Sequence, residues 1–434
     1  MNKFQDSLLT LRGIFKYSTF LKRSQSFSSD EIAANQSKWL SKLLIHAHKN
    51  IPWYSKLFRE HGVDSYSSDP LQELKKIPIL TKEQVREYHS DFCIPGAAKK
   101  SVKFATSGTT GEPLTAYTSF NQWIMEQGII WRHWKSAGYS FRDRIAIFRS
   151  YSPMKGEPLL KLDRLRNWTY FSVFDMGDDA INDYVEYLQK WKPKFLRGYP
   201  SALNLIAEHA IQNGWNLPSL KGAFSASEVV PETLRKNLQE AFGIELFDHY
   251  GQAEITCMFH ECENHSGMHV NWEYGIVELI ETTEKNVFKI IATNLHNLSM
   301  PLIRYDTGDL AVGSWESCNC IRSSQKIKSI RGRQDDYLYM SDKSRASPVN
   351  LYTYFSKINE IQQFQLIQEK FGELTVLLRL NGSTDQKWSD ISSKVIIDLE
   401  SKTHLSIYCP RNFNFIQSSE GKFQTFIQRV KNAD

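Results

Sequence analysis

Apolar residues recur at helical spacing over residues about 31–49 and again over 181–191, which predicts two amphipathic helices. Shorter apolar runs, Val277-Glu278-Leu279-Ile280 and Phe288-Lys289-Ile290-Ile291-Ala292, predict strands. Around Arg331–Pro348 the composition shifts to charge, Ser and Gly, and a second mixed pattern follows: Phe364–Ile367 and Leu374–Leu378 as strands, 388–402 as a helix. The pattern shows no internal repeat and no extended low-complexity tract. It predicts a mixed α/β (α+β) chain in two parts, a large N-terminal domain of sheets and packed helices over 1–334 and a small C-terminal α+β domain over 335–434.

Composition agrees with that size. A chain of 434 residues with 41% hydrophobic content can bury a large core and suggests more than one domain. No apolar run approaches the roughly 18 residues of a membrane span. Asp6 and Arg12 interrupt the short apolar pattern at the start, so no signal-peptide core is expected and the protein is expected in the cytoplasm. Basic residues exceed acidic ones by 53 to 48, a small and dispersed excess of +5 with no basic stripe, so nucleic acid is not an expected partner.

The chain has six cysteines, which without export should be reduced thiols. Cys257 and Cys262 flank His260, His265 and His269 follow, and Cys318-Asn319-Cys320 lies in the next segment. Zinc takes about four N/S ligands in a tetrahedron, and a Cys-x-Cys pair with a separate Cys/His cluster can close one. The preferred set is Cys262, His269, Cys318 and Cys320, with Cys257 or His260 able to replace one member. Four protein ligands leave no open position, so such a site would be structural; free buried cysteines are the other reading. Cys93 and Cys409 stand alone and are expected to pack in the interior.

Residues 106–114 read Thr-Ser-Gly-Thr-Thr-Gly-Glu-Pro-Leu. Gly108 and Gly111 let backbone N–H groups approach an anion closely, and Thr106, Ser107, Thr109 and Thr110 add hydroxyl donors, so the run suits a triphosphate cradle. It is not a P-loop, because Glu112 follows Gly111 where a lysine is required, and a cation must come from elsewhere. A solvated turn is the plainer reading of the run taken alone. Downstream lie Tyr250-Gly251-Gln252-Ala253-Glu254, Arg304-Tyr305-Asp306-Thr307-Gly308-Asp309, Gly332-Arg333-Gln334-Asp335-Asp336 and Gly421-Lys422.

In this order the segments resemble the adenylate-forming (acyl-CoA synthetase-like) superfamily, and within it the phenylacetate-CoA ligase branch that includes CapK-like ligases of capsular-polysaccharide clusters. The likeness extends to Asn50-Ile51-Pro52-Trp53-Tyr54, Ile77-Pro78-Ile79-Leu80-Thr81-Lys82 and Ser419-Glu420-Gly421-Lys422. It implies an ATP- and magnesium-dependent enzyme that joins a carboxylate to AMP, expels pyrophosphate and transfers the acyl group to an acceptor. Glu254 is then the magnesium-associated carboxylate, Lys422 a catalytic lysine on a mobile C-terminal domain, and Thr106 part of the catalytic phosphate loop. Tyr250, with Gly251 and Gln252, lies against adenine, and Asp309 holds the ribose hydroxyls. Arg304 steadies its loop or the phosphate. Arg333 contacts nucleotide and Asp335 is the hinge, although an exposed salt-bridged turn is the plainer reading there. The loop Arg304–Asp309 read alone has Asp306 and Asp309 as turn caps.

Ser225-Ala226-Ser227-Glu228 takes the place of the family's adenine-side segment but departs from its commoner Gly-Ala/Gly-Glu form, which weakens the assignment of Ser227 and Glu228. Gly198-Tyr199-Pro200-Ser201 resembles a wall of the acyl pocket and is equally a helix start. Similar Cys and Gly-x-His elements recur in this branch. The expected partners are a small carboxylate and an acceptor, either coenzyme A or an amine. Trp131, Trp134, Tyr151 and Phe174 would furnish an aryl pocket, whereas Arg149 and Arg197 would suit a polar acid. Glu112, where phenylacetate ligases often carry lysine, and the divergent Ser-Ala-Ser-Glu favour a polysaccharide-cluster enzyme joining an acid to an amine. An aryl-CoA ligase and a nucleotide-binding protein that has lost catalysis are the alternatives.

Overall fold

A computed structural model describes residues 3–105, 114–149, 151, 158–173, 176, 178–227, 230, 232–282, 285–330, 338–346, 348, 351, 354–355, 358, 360–380, 384–416 and 426–430. The nucleotide-loop residues 106–113, with Glu228, Arg333, Asp335 and Lys422, lie outside the described residues. The chain divides into two compact units.

The first unit comprises the N-terminal residues to 106, 114–140 and 247–333. Its long helix Ser29–Asn50 covers the predicted 31–49 stretch. Ser28 starts it with a capping box closed by Glu31, and the buried stripe Leu40, Leu43, Leu44 and Ala47 docks it into a core with Tyr54, Phe58, Phe92, Ile303 and Tyr305. A meander of antiparallel strands, Gly275–Glu281, Val287–Asn294 and Tyr305–Val312, carries both strands read from the sequence. The Arg304–Asp309 segment, expected as a loop, is instead mostly strand. Its Asp and Gly residues serve a bulge, at which the pairing jumps from Lys289↔Leu310 to Ile291↔Asp306. Strands Leu246–Gly251, Met258–Glu261, Met268–Val270 and Lys326–Ile327 pair antiparallel in that order.

The second unit contains 141–246 and the chain from 334 onward. Strands Gly222–Ala226, Phe195–Gly198, Ile145–Arg149 and Trp168–Ser172 run parallel, with Leu160–Asp163 antiparallel at the edge. Helix Asp178–Trp191, predicted over 181–191, and helix Pro200–Asn213, opened by Pro200, pack into a core with Phe148, Phe171, Leu196 and Ala223. Residues from 338 to 426 close a separate core, in which helix Asp385–Thr403 lies with strands Ile361–Gln368 and Glu373–Leu380. No helix among the described residues is long and apolar enough to cross a membrane.

Candidate active site and metal cluster

Two hydrogen-bonded groups in the first unit carry the acidic residues singled out in the sequence. Thr81 caps helix Lys82–Glu87 in a capping box with Gln84 and so fixes Lys82 at the first helical position. An ammonium there opposes the helix dipole, and a carboxylate beside it offsets that penalty. Glu254 supplies it: Lys82 Nζ lies 3.0 Å from Glu254 Oε1, and the Tyr305 hydroxyl donates to the same oxygen at 3.0 Å. Glu254 is 5% exposed and Tyr305 fully buried. Among the described residues Glu254 Oε2 has no hydrogen-bond partner, so one carboxylate oxygen is anchored and the other is available to a hard cation. Lys82 and Tyr305 had no assigned role in the sequence, where 172 residues separate Lys82 from Glu254.

Tyr250 and Asp309 form the second group. The phenol donates to Asp309 Oδ2 at 2.6 Å, and burial, with the Asp309 charge beside it, raises the Tyr250 pKa well above the usual value, which keeps the donor protonated. The bulge aims Asp309. Gly308 adopts φ +73°, Asp306 Oδ1 accepts from Gly308 N at 2.9 Å, and Thr307 Oγ1 accepts from Asp309 N at 3.2 Å while donating to Ile290 O at 2.9 Å. Gln252 Oε1 accepts from Cys257 N at 3.2 Å, whereas its buried Nε2 has no hydrogen-bond partner among the described residues. An orphaned donor next to Gly251, where an added Cβ would meet only open space, fits a site built for a ligand. Arg304 is a latch: it grips Glu278 with two bonds of 2.9 Å and donates to Ile77 O at 2.6 Å.

Cys262, His269, Cys318 and Cys320 converge, one ligand atom from each lying within 4.8 Å of the others. Zinc bonds of about 2.3 Å to sulfur and 2.0–2.1 Å to nitrogen give tetrahedral edges of about 3.8 Å between sulfurs and about 3.6 Å from sulfur to nitrogen. Cys262 and Cys318 sulfurs are 3.8 Å apart, and Cys320 Sγ is 3.5 Å from His269 Nε2. His269 Nδ1 lies 2.9 Å from Ser324 O, a bond that requires the proton on Nδ1 and leaves the Nε2 lone pair facing the sulfurs. Burial lowers the His269 pKa to about 4, so the ring is neutral. Arg322 donates its backbone N–H to Cys320 Sγ at 3.3 Å and pairs with Glu263 at 2.7 Å, placing a buried cation beside the thiols. Cys257 and His260 stand outside this cluster; Cys257 faces Gln252, and the His260 ring packs 5.3 Å from that of His133.

In the second unit Arg149 Nη2 donates to Ser227 Oγ at 3.0 Å, and its guanidinium carbon lies 5.3 Å from the centre of the Tyr199 ring. Of the aromatic residues considered for an aryl pocket, Trp131 and Trp134 are buried edge-on against Tyr139, each with ring centres 5.3 Å away, and serve as core. Phe174 lies outside the described residues.

The AMP-binding enzyme family matches residues 101–277. The chain is 25% identical over 364 residues to the phenylacetate-coenzyme A ligase of Thermus thermophilus, covering 81% of each protein. It is 23% identical over 399 residues to Protein CapK of Staphylococcus aureus, covering 88% of this chain and 87% of that one. By these matches the chain resembles the adenylate-forming enzymes over most of its length. It is an ATP-dependent, AMP-forming ligase. Its fold is shared with 2-hydroxyisobutyryl-CoA ligase in complex with 2-HIB-AMP and CoA, at a TM-score of 0.60, 16% identity, and coverage of 94% of this ligase and 92% of the other chain.

Proposed function

We propose that this ligase activates a polar carboxylic acid, a sugar acid being the leading candidate, as its acyl-adenylate and passes the acyl group to an amine in the assembly of a capsular or O-antigen polysaccharide. The observation that carries the adenylation step is Glu254, gripped through one oxygen by Lys82 and Tyr305 with the other oxygen left for a cation. A carboxylate attacking an anionic α-phosphate needs its charge neutralised where the new bond forms. Magnesium bound at Glu254 would supply electrophilic assistance. Asp309, oriented by Tyr250, would accept from the ribose hydroxyls, and the phosphate loop with Thr106, Ser107, Gly108, Thr109, Thr110 and Gly111 would hold the phosphates. Ser227, Glu228, Gly251, Gln252 and Arg333 would complete the nucleotide contacts. Lys422 would bring a mobile positive charge to the forming acyl phosphate.

The separate core closed by residues 338–426 supports a domain boundary at 334/335, with Asp335 as the hinge on which the C-terminal domain exchanges its adenylation and transfer positions. Cys262, His269, Cys318 and Cys320 would hold structural zinc, supported by the Cys262–Cys318 and Cys320–His269 spacings, which match tetrahedral edges. The absence of an apolar helix of spanning length among the described residues is consistent with a cytoplasmic enzyme. Likeness to Protein CapK along 88% of this chain favours the polysaccharide setting. Likeness to phenylacetate-coenzyme A ligase supports a second reading, with coenzyme A as acceptor. An inactive nucleotide-binding partner is disfavoured by the joint retention of Glu254, Asp309 and Lys422.

The test is acid-dependent ATP–pyrophosphate exchange across aryl acids, uronic acids and amino acids, followed by addition of amines or coenzyme A to the active mixture. Lys422→Ala should suppress exchange while leaving ATP binding largely intact; unchanged exchange removes Lys422 from the mechanism. Amide product without thioester supports the amine acceptor, and thioester alone assigns the chain to the coenzyme A ligases.

A further inference from the structure

Arg149 ends strand Ile145–Arg149, which has Trp168–Ser172 on one side and Phe195–Gly198 on the other. The chain leaves this strand for its first flank and later returns to the opposite one, so Arg149 stands at a switch point on the carboxyl edge of the parallel strands. Ligands of open α/β sheets bind in the crevice that forms at such a point. The register aligns the surroundings: Arg149 is level with Ser172, and Phe148 with Gly198, which is itself level with Ser225. At Gly198 a Cβ would come within 2.8 Å of Phe148 O, and Tyr199 N donates to that same oxygen at 3.1 Å, so Tyr199 is fixed against the strand that ends in Arg149.

Two contacts hold the guanidinium. It lies over the face of Tyr199, which is 3% exposed, and it donates to Ser227 Oγ, whose residue sits at φ +77° in a region unfavourable for a side chain other than glycine. Among the described residues Arg149 has no carboxylate partner and makes no side-chain hydrogen bond other than that to Ser227. The remaining N–H donors of its planar fork are therefore available to a ligand that offers paired oxygens.

We infer that Arg149 is the specificity residue of the acyl pocket and that it selects acids whose body carries paired oxygen acceptors, a second carboxylate or a vicinal diol. The inference rests on the ligase reading above and on the resemblance of Gly198-Tyr199-Pro200-Ser201, which leads into helix Pro200–Asn213, to a wall of the acyl pocket. A neutral aryl or alkyl acid would cover the guanidinium with apolar surface and leave its remaining donors without a partner, a loss that oxygen acceptors avoid. This places selection of the acid on a residue that takes no part in the bond changes at phosphorus.

The experiment measures kcat and KM for ATP–pyrophosphate exchange in the full-length enzyme with glucuronate, glutarate, phenylacetate and hexanoate, for wild type, Arg149→Met and Arg149→Lys. Wild type should favour glucuronate or glutarate over both neutral-bodied acids by at least about tenfold, the range one well-placed polar contact gives. Arg149→Met should erase that preference mainly through KM while leaving exchange with phenylacetate and hexanoate within about threefold. Arg149→Lys should recover part of it, and thermal unfolding of each variant separates lost folding from lost selection. Glucuronate against glutarate tells the diol from the second carboxylate. A wild type that prefers phenylacetate or hexanoate, or an Arg149→Met that weakens all four acids equally in a folded protein, overturns the inference while leaving the ligase reading intact. Absence of exchange with every acid sinks the ligase reading itself and this inference with it.

Discussion

At the residue scale the informative interactions join distant positions. Lys82 and Glu254 have side chains 12% and 6% exposed, so neither charge is well solvated and each depends on the other. Removing one partner of a buried pair typically costs about 3–5 kcal/mol, whereas removing both charges costs far less. Lys82→Met should therefore lower unfolding free energy by about 3 kcal/mol, and adding Glu254→Gln in the same chain should recover much of that loss; additive effects in denaturant titrations would show the two groups uncoupled. His296 gives a pH prediction. Burial is the main reason its pKa falls to about 4, and Lys16 adds to the fall, while its Nε2 lies 2.8 Å from Glu273 O, the carbonyl to which it donates. Between about pH 4 and 6.5 the unfolded chain binds a proton that the folded one refuses, so this group's contribution is complete above pH 6.5 and is lost as pH falls. The loss from pH 7.5 to 5 should be on the order of 2 kcal/mol. His296→Gln, which keeps an N–H donor and removes the titration, should flatten the acid side of the stability profile by that amount.

At the element scale the bulge in strand Tyr305–Val312 does the positioning. Gly308 sits at φ +73°, a conformation that costs a residue with a Cβ roughly 1–2 kcal/mol. Gly308→Ala should destabilise the strand by about that amount in chemical denaturation and weaken ATP binding measurably, because Asp309 would lose its aim at the Tyr250 hydroxyl; unchanged affinity in equilibrium binding would detach the bulge from nucleotide recognition. The helices and strands predicted from periodicity coincide with observed elements because their apolar stripes meet a core, as Leu40, Leu43, Leu44 and Ala47 do. The 304–309 segment was illegible as a strand because Asp, Thr and Gly usually punctuate turns, and only pairing with Val287–Asn294 makes this run extended. Helix Lys3–Lys16 was equally hidden, its apolar pattern broken by Asp6 and Arg12. The Cys/His set, with His269 preferred, could be proposed from donor type and order in the chain, and the strand geometry brings those four together while leaving His260 outside. Nothing local marked Lys82, since its partner is set by tertiary packing.

At the scale of the whole molecule the Cys/His cluster ties together chain segments that enclose the site-bearing strands. Cys262 and Cys318 are 56 residues apart, and between them lie Gly275–Glu281, Val287–Asn294 and Tyr305–Val312, the last carrying both Tyr305 and Asp309. Closing such a span costs chain entropy, which a bound metal would offset in the folded state, so occupancy should be coupled to stability throughout this unit. Burial raises the Cys262 pKa to about 12, whereas hydrogen bonds from Ser266 and Cys320 lower that of Cys318 to about 7 despite partial burial. Without a cation to share, three adjacent sulfurs cannot all ionise cheaply, and Arg322 supplies only one positive charge. Purified protein should contain about one zinc per chain, and chelation should lower Tm by roughly 5–10 °C. Cys318→Ser and Cys320→Ser should each remove the metal and reproduce that drop, with the double variant no worse than either single one, since one site is lost only once. Cys409→Ser, in the core closed by residues 338–426, should leave zinc content unchanged. Folded wild type free of metal by elemental analysis, with chelator-independent Tm, would reduce the cluster to four packed side chains and leave these strands to their backbone ladders and to Arg304, which grips Glu278 and the Lys75 and Ile77 carbonyls.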